Sequence, residues 1–168
     1  MKYYSKVQLI ESINTNNTFT TDELLMHDFY NTSDSTFNNF DLGIVAKSVG
    51  KDSYKLYPGT TIINLTPHHV NIYIDKDEII TIKTKGLHKA VRCLSLTKCI
   101  GKIANIDLTR TELGEVYNLP NEKKDVYYIV SRMVFDIIKD RKDLLVPNDV
   151  VRNNEGDVIG CRNLGIHI

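Results

Sequence analysis

The chain has 168 residues, of which 42% are hydrophobic and 25% charged, the composition of a folded globular protein with room for one ordinary domain or two small ones. Its 21 basic side chains balance 21 acidic ones, which excludes a bulk electrostatic pull toward nucleic acid or an anionic membrane and makes any anion site a local one. Cys93, Cys99 and Cys161 form no C-x-x-C pair, so neither a disulfide framework nor a zinc site is expected; no apolar stretch nears the roughly 20 residues of a membrane helix, and the chain reads as cytosolic.

The first elements are helical. Val7, Leu9, Ile10 and Ile13 recur at helical spacing within residues 5–13, and Thr15-Asn16-Asn17-Thr18 breaks the pattern. Thr20 or Thr21 then caps a second helix, with Asp22 and Glu23 in its first turn and Leu24, Leu25 and Phe29 facing inward. After Asn31-Thr32-Ser33 comes a short third segment through Phe37 and Phe40. The runs Ile44–Val49 and Ser53–Tyr57 flank Gly50-Lys51-Asp52, a hairpin whose turn is expected to use Gly50 at positive φ. Helix, helix, short helix and two-stranded ribbon resemble a winged helix-turn-helix over residues 1–58. That resemblance implies a recognition segment with Ser35, Thr36, Asn38 and Asn39 at base edges and Lys47, Lys51 and Lys55 at phosphates. Five lysines against seven acids in this region, a net of −2, weigh against DNA as a partner.

Residues 59–168 read as β-rich. Thr61–Leu65, the alternating Val70-Asn71-Ile72-Tyr73-Ile74, Ile79–Ile82, Val91–Leu96 and Ile100–Leu108 are strand runs, and Val126–Val130 is apolar on both faces, as a central strand would be. Ser131 caps one helix near 132–140, Pro147 bars its continuation, and Asn153-Asn154-Glu155-Gly156 turns a final hairpin. The expected class is α+β: a winged-helix-like domain, then a mostly antiparallel sheet or partial barrel with one packed helix.

Five ordered motifs in this half are Asn64-Leu65-Thr66-Pro67-His68, Thr111-x-x-Gly114-Glu115-Val116-x-x-Leu119-Pro120, Tyr128-Ile129-Val130-Ser131, Arg141-x-Asp143-Leu144-x-x-Pro147 and Val151-Arg152-x-x-x-Gly156-x-x-Ile159-Gly160-Cys161-Arg162. Together they resemble a family of small uncharacterised bacteriophage and prophage proteins over residues 62–164. The resemblance implies a phage setting, and with it the host-cell cytoplasm, but no chemistry.

Thr66-Pro67-His68-His69 offers two imidazoles, but adjacent strand residues point to opposite faces and no acid or thiol lies at ligand spacing, so no metal is expected. Cys161 reads as a small buried residue rather than a nucleophile. Ser131 sits at a strand-to-helix junction without the glycines of G-x-S-x-G and reads as a cap whose helix end would also suit phosphate. Arg110, Arg132, Arg141, Arg152 and Arg162 are the set of interest. Two or three of them converging near Ser131 and the Thr66 turn, with Tyr127 or Tyr128 as a stacking face, would hold a phosphorylated ligand; the alternative is local pairing with Asp136, Asp140, Asp143 and Glu115. The ligand set expected is Thr66, His68, Arg110, Tyr128, Ser131, Arg132, Arg152 and Arg162, with no catalytic residue, cofactor or metal.

With no P-loop, G-x-G-x-x-G or paired-carboxylate arrangement, the leading expectation is a non-catalytic phage accessory protein of anti-defence type, an oligomer of identical chains that sequesters a nucleotide-like host signal or blocks a host defence protein. The alternatives are a winged-helix regulator with a β-rich dimerisation or ligand-sensing domain, and an enzyme degrading a small nucleotide.

Overall fold

The computed structural model describes residues 3–13, 15–33, 36–75 and 78–167. Ser5 and Thr20 open short helices by the same device. Each side chain accepts the N–H three residues on, while Gln8 or Glu23 reaches back to the cap N–H. The helices α1 (Lys6–Glu11) and α2 (Thr21–Leu25) bury Leu9 and Leu24 against an antiparallel sheet of β1 (Tyr30–Ser33), β2 (Thr36–Asn39), β3 (Ile44–Gly50) and β4 (Ser53–Pro58), in that order. Phe19, Phe29, Phe37, Ile44 and Leu56 complete this core.

The winged-helix expectation is overturned here. The segment read as a third helix is the hairpin β1–β2, with Tyr30 opposite Asn38 and Asn31 opposite Phe37. Burial along β2 alternates, Phe37 and Asn39 inward, a period of two rather than 3.6. The order of elements points to a short helix here, but an Asn- and Thr-rich stretch has weak helix propensity, and pairing with β3 decides its state. No recognition helix exists among the described residues. Thr36, Asn38 and Asn39 sit in a sheet, and Ser35 lies outside the described residues. Asn39 donates to His27 O at 2.6 Å and accepts from Leu42 N–H at 2.9 Å, so its amide is used inside the protein. The β3–β4 turn puts Asp52, not Gly50, at positive φ (48°). Its carboxylate accepts from Thr21 N–H at 2.8 Å, and the Thr21 hydroxyl first and this N–H second lower its pKa.

The second unit is a six-stranded sheet: β5 (Thr61–Asn64), β10 (Val126–Ile129), β11 (Leu144–Arg152), β12 (Val158–Ile166), β6 (Val70–Tyr73) and β7 (Ile79–Ile82), in that spatial order. It is mixed rather than mostly antiparallel. The pairs β5–β10, β10–β11 and β12–β6 are parallel, and β11–β12 and β6–β7 antiparallel. A single bridge, Asn64 with Thr84, joins the β5 edge to the end of β7, so the sheet curls until its edges meet. Along β10, Tyr128 and Val130 pack under α3 (Arg132–Ile137) with Val134, Phe135 and Leu144, while Ile129 faces Val70, Ile72, Ile80 and Cys161 on the other side. With three short α-helices among the described residues, the molecule is mostly β, not α+β.

The two units share a seam. Ile62 N–H donates to Phe40 O at 2.9 Å, Tyr30 Oη donates to Thr81 O at 2.8 Å, and Lys83 pairs with Asp28 at 3.0 Å. Tyr30 and Phe40 pack on the barrel core. Between β7 and β10 the chain leaves the barrel altogether as a long hairpin of β8 (Arg92–Ile103) and β9 (Ile106–Tyr117), a two-stranded sheet of its own. The expected strand across residues 100–108 is split by the Ala104-Asn105 turn, where Ala104 has φ 51°.

Candidate functional site

The hairpin is the feature with the least support from the rest of the chain. Only its base is tied down: Cys93 and Val116 pack against the barrel core, whereas nearly every other residue of its two 12-residue strands is exposed. The pairing register assigns its side chains to faces, since directly opposed residues share one. The outer face carries Leu94, Leu96, Lys98 and Ile103 from β8 and Ile106, Leu108, Arg110 and Glu112 from β9. The inner face, continuous with Cys93 and Val116, carries Ser95, Thr97, Cys99 and Lys102 opposite Leu113, Thr111, Thr109 and Asp107. Thr97 and Thr111 hydroxyls meet at 3.1 Å, and Lys102 pairs with Asp107 at 3.0 Å.

The ribbon is thus amphipathic with its apolar side in the open. Leu94, Leu96, Ile103 and Ile106 are 56%, 57%, 65% and 71% exposed. Period-two alternation marks a strand that buries one face, and a patch of large apolar side chains in water marks an interaction surface. In the middle of this face Lys98 lies directly opposite Arg110; Lys98 is held by Glu112 Oε2 at 2.8 Å, and no acid among the described residues comes within ion-pair distance of Arg110.

A second candidate is the seam between the units. Tyr30, Asp28, Asp41, Thr81 and Lys83 line a cleft of about 10 Å³, room for about one water. Burial, and then the nearby Asp28 charge, push the Tyr30 hydroxyl above its usual pKa. Asp41 Oδ1 is shielded from solvent and lies 3.4 Å from Lys85 Nζ without hydrogen-bond geometry, an attraction of charge alone. The hollow between His27, Tyr4 and Asp41 holds about 110 Å³ and that beside Lys124, Tyr127 and Lys142 about 190 Å³, both short of the roughly 300 Å³ where small-ligand pockets begin.

The residues expected to form a ligand site are placed as follows. Thr66 and His68 share a turn organised by buried Asn64: Thr66 Oγ1 donates to Asn64 Oδ1 at 2.7 Å, and His68 offers its backbone oxygen to Asn64 Nδ2 at 2.8 Å. His69 Nδ1 accepts from Thr84 N–H at 3.0 Å, which occupies that lone pair. Tyr128 is 2% exposed, its hydroxyl 3.3 Å from Asn121 O, so its ring offers no stacking face. Ser131 caps the six-residue α3 through Val134 N–H, at the same sheet end as the Thr66 turn because Asn64 and Ile129 are register partners.

The arginines do not share a pocket in this way. Arg132 pairs with Asp136 at 3.8 Å and lies over the Phe135 ring, Arg152 donates to Gly156 O at 2.6 Å across the hairpin turn, and Arg162 pairs with Asp149 at 3.2 Å on the β11–β12 ladder. Arg110 stands on the ribbon. Arg141 forks onto Asp143 with bonds of 2.6 and 2.5 Å and also donates to Pro120 O at 3.0 Å. Asn64 is the residue whose role sequence reasoning missed; a lone Asn inside an apolar strand run, Ile63-Asn64-Leu65, is the signal that gives it away, because a buried amide must find partners.

No protein-family model matches this chain, and no curated protein or solved structure is significantly similar to it. No helix among the described residues is long and apolar enough to cross a membrane.

Proposed function

We propose that this chain is a non-catalytic accessory protein that works by protein–protein contact through the outer face of its ribbon, and that in the phage setting suggested by its motifs it acts by blocking a host defence protein. The observation that carries this reading is the uncovered apolar face of β8–β9, where Leu94, Leu96, Ile103, Ile106 and Leu108 stand in the open on one side of the ribbon. Sequestration of a nucleotide-like signal has less support. Arg132, Arg152 and Arg162 are engaged locally, Tyr128 is buried, and the hollows at hand are small for a nucleotide.

The test is efficiency of plating. Host strains, each carrying one defence system, would express the chain or its Leu96→Thr, Ile106→Thr double variant, followed by phage challenge. Restoration of plating by the parent chain on at least one strain, lost in the double variant at equal expression, is the expected result. Equal restoration by both, or heat on titrating the pure chain with cyclic or ADP-ribose-type nucleotides, would overturn it.

A further inference from the structure

We infer that the outer ribbon face seats the same face of a second copy of this chain, the two ribbons running antiparallel about a two-fold axis through their midpoints. This rests on the reading of that face as a contact surface and names what covers it in the free protein, before a host partner takes the second copy's place. A lone two-stranded ribbon is at best marginally stable in water, so strands this long call for a cover.

The pattern along the face points to a copy of itself. From base to tip it runs Leu94, Leu96 beside Glu112, Lys98 beside Arg110, Leu108 beside Gly101, then Ile103 beside Ile106. Apolar side chains thus hold both ends, and charge gathers between them. Turning one copy by 180° about the midpoints brings Leu94 of each ribbon level with Leu108 of the other, the same contact made twice, as an isologous interface requires. The charges fit the same operation. Arg110 opposes a like charge, Lys98, within its own ribbon, an unfavourable cross-strand pair, and lacks an acid there. Across the axis Glu112 of the second copy comes level with it, one oxygen engaged by Lys98 and the other available to the guanidinium.

A 12-residue strand spans about 40 Å and two strands about 10 Å in width. Each face thus offers about 400 Å² and a pair removes roughly 800 Å² of surface, the size of a small, reversible interface.

Sedimentation of the full chain tests this. The expected mass is twice the 19.2 kDa of one chain. Leu96→Thr with Ile106→Thr is expected to weaken the dimer at least about tenfold, while Thr97→Val on the inner face leaves it intact and both keep the parent circular dichroism spectrum. Arg110→Glu and Glu112→Arg should each weaken the dimer alone, and an equimolar mixture of the two should restore it, because each contact across the axis then joins opposite charges. A monomer at about 100 μM, well above the Kd of stable dimers, a dimer indifferent to the outer-face variants, or a mixture that stays monomeric would overturn the proposal. Loss of plating in an outer-face variant of a monomeric chain would remove the second copy and leave the contact surface; a dimer broken without any effect on plating would do the reverse.

Discussion

Replacing Asn64 by alanine tests what holds the barrel closed. The side chain is wholly buried and makes four hydrogen bonds: Nδ2 donates to His68 O at 2.8 Å and Ile82 O at 2.9 Å, and Oδ1 accepts from Thr66 N–H at 2.9 Å and Thr66 Oγ1 at 2.7 Å. One amide therefore ties the end of β5, the following turn and the end of β7, the two edges that meet at the Asn64–Thr84 bridge. In the alanine variant the Thr66 hydroxyl, freed from Asn64, can turn its proton to His68 O, 2.9 Å away, but Ile82 O and Thr66 N–H lose these partners. An orphaned buried group costs about 1–3 kcal/mol, and the vacated volume adds to that, so the loss should be about 3–5 kcal/mol, a large part of the 5–15 typical of a whole domain. For a chain of this size that is a fall in Tm of roughly 10 °C. Urea and thermal unfolding followed by circular dichroism would measure it. Asn64→Asp sharpens the test: nearly the same shape, but it aims a carboxylate at two carbonyl oxygens and should lose at least as much at pH 7. A loss under about 1 kcal/mol for the alanine variant, or a neutral aspartate, would refute the reasoning.

Three further outcomes are expected. Arg141→Lys should cost about 2–3 kcal/mol in urea unfolding, because lysine cannot fork onto Asp143 and reach Pro120 O together, and the Asp143 side chain is only 6% exposed. The Tyr30 and Tyr128 hydroxyls are both pushed above the ordinary tyrosine range, chiefly by burial, so the folded state holds their protons more tightly than the unfolded one. The stability this gives is complete below about pH 10 and is lost as pH rises through the raised values; Tyr30→Phe should lose about 1 kcal/mol at neutral pH and flatten part of the alkaline decline. Burial likewise raises the Cys161 thiol, so Ellman's reagent should label exposed Cys99 first, half-buried Cys93 more slowly and Cys161 only on unfolding.

The sequence was legible where one local signal met no competitor. Thr20 and Ser131 cap the helices that their positions announce, β10 is buried on both faces as its apolar run implies, and Gly156 takes the left-handed turn (φ 91°). It was misleading where tertiary pairing chose between two local options. Residues 30–39 fit a winged helix in element order, yet β3 recruits them as strands. The Leu94-Ser95-Leu96-Thr97 and Ile106-Asp107-Leu108-Thr109 alternation is plain in the chain, but a period of two says only that one face differs from the other. Whether a neighbouring strand, another protein or water lies on the apolar face is decided elsewhere in the fold, and among the described residues no other strand pairs with the ribbon.

The motif residues, placed in the fold, divide structure from interaction. Asn64 and Thr66 pin the barrel edges, Ser131 caps α3, Arg141 joins Asp143 to Pro120, and Arg152 clamps the last turn through Gly156 O. Gly160 is required by contact: a Cβ there would lie 2.5 Å from Asn71 O and 2.6 Å from the Tyr73 ring, where β6 crosses close to β12. Each of these duties is met within the chain, so none of these residues needs a ligand to account for it. The ribbon carries only Thr111, Gly114, Glu115 and Val116 of the motifs, toward its base, and from Leu94 to Arg110 it is the part whose side chains the rest of the fold leaves uncovered. Substituting the motif residues should therefore act on stability, with binding lost only in proportion to unfolding. Substituting the outer face of the ribbon should act on association while the melting curve of the barrel stays in place.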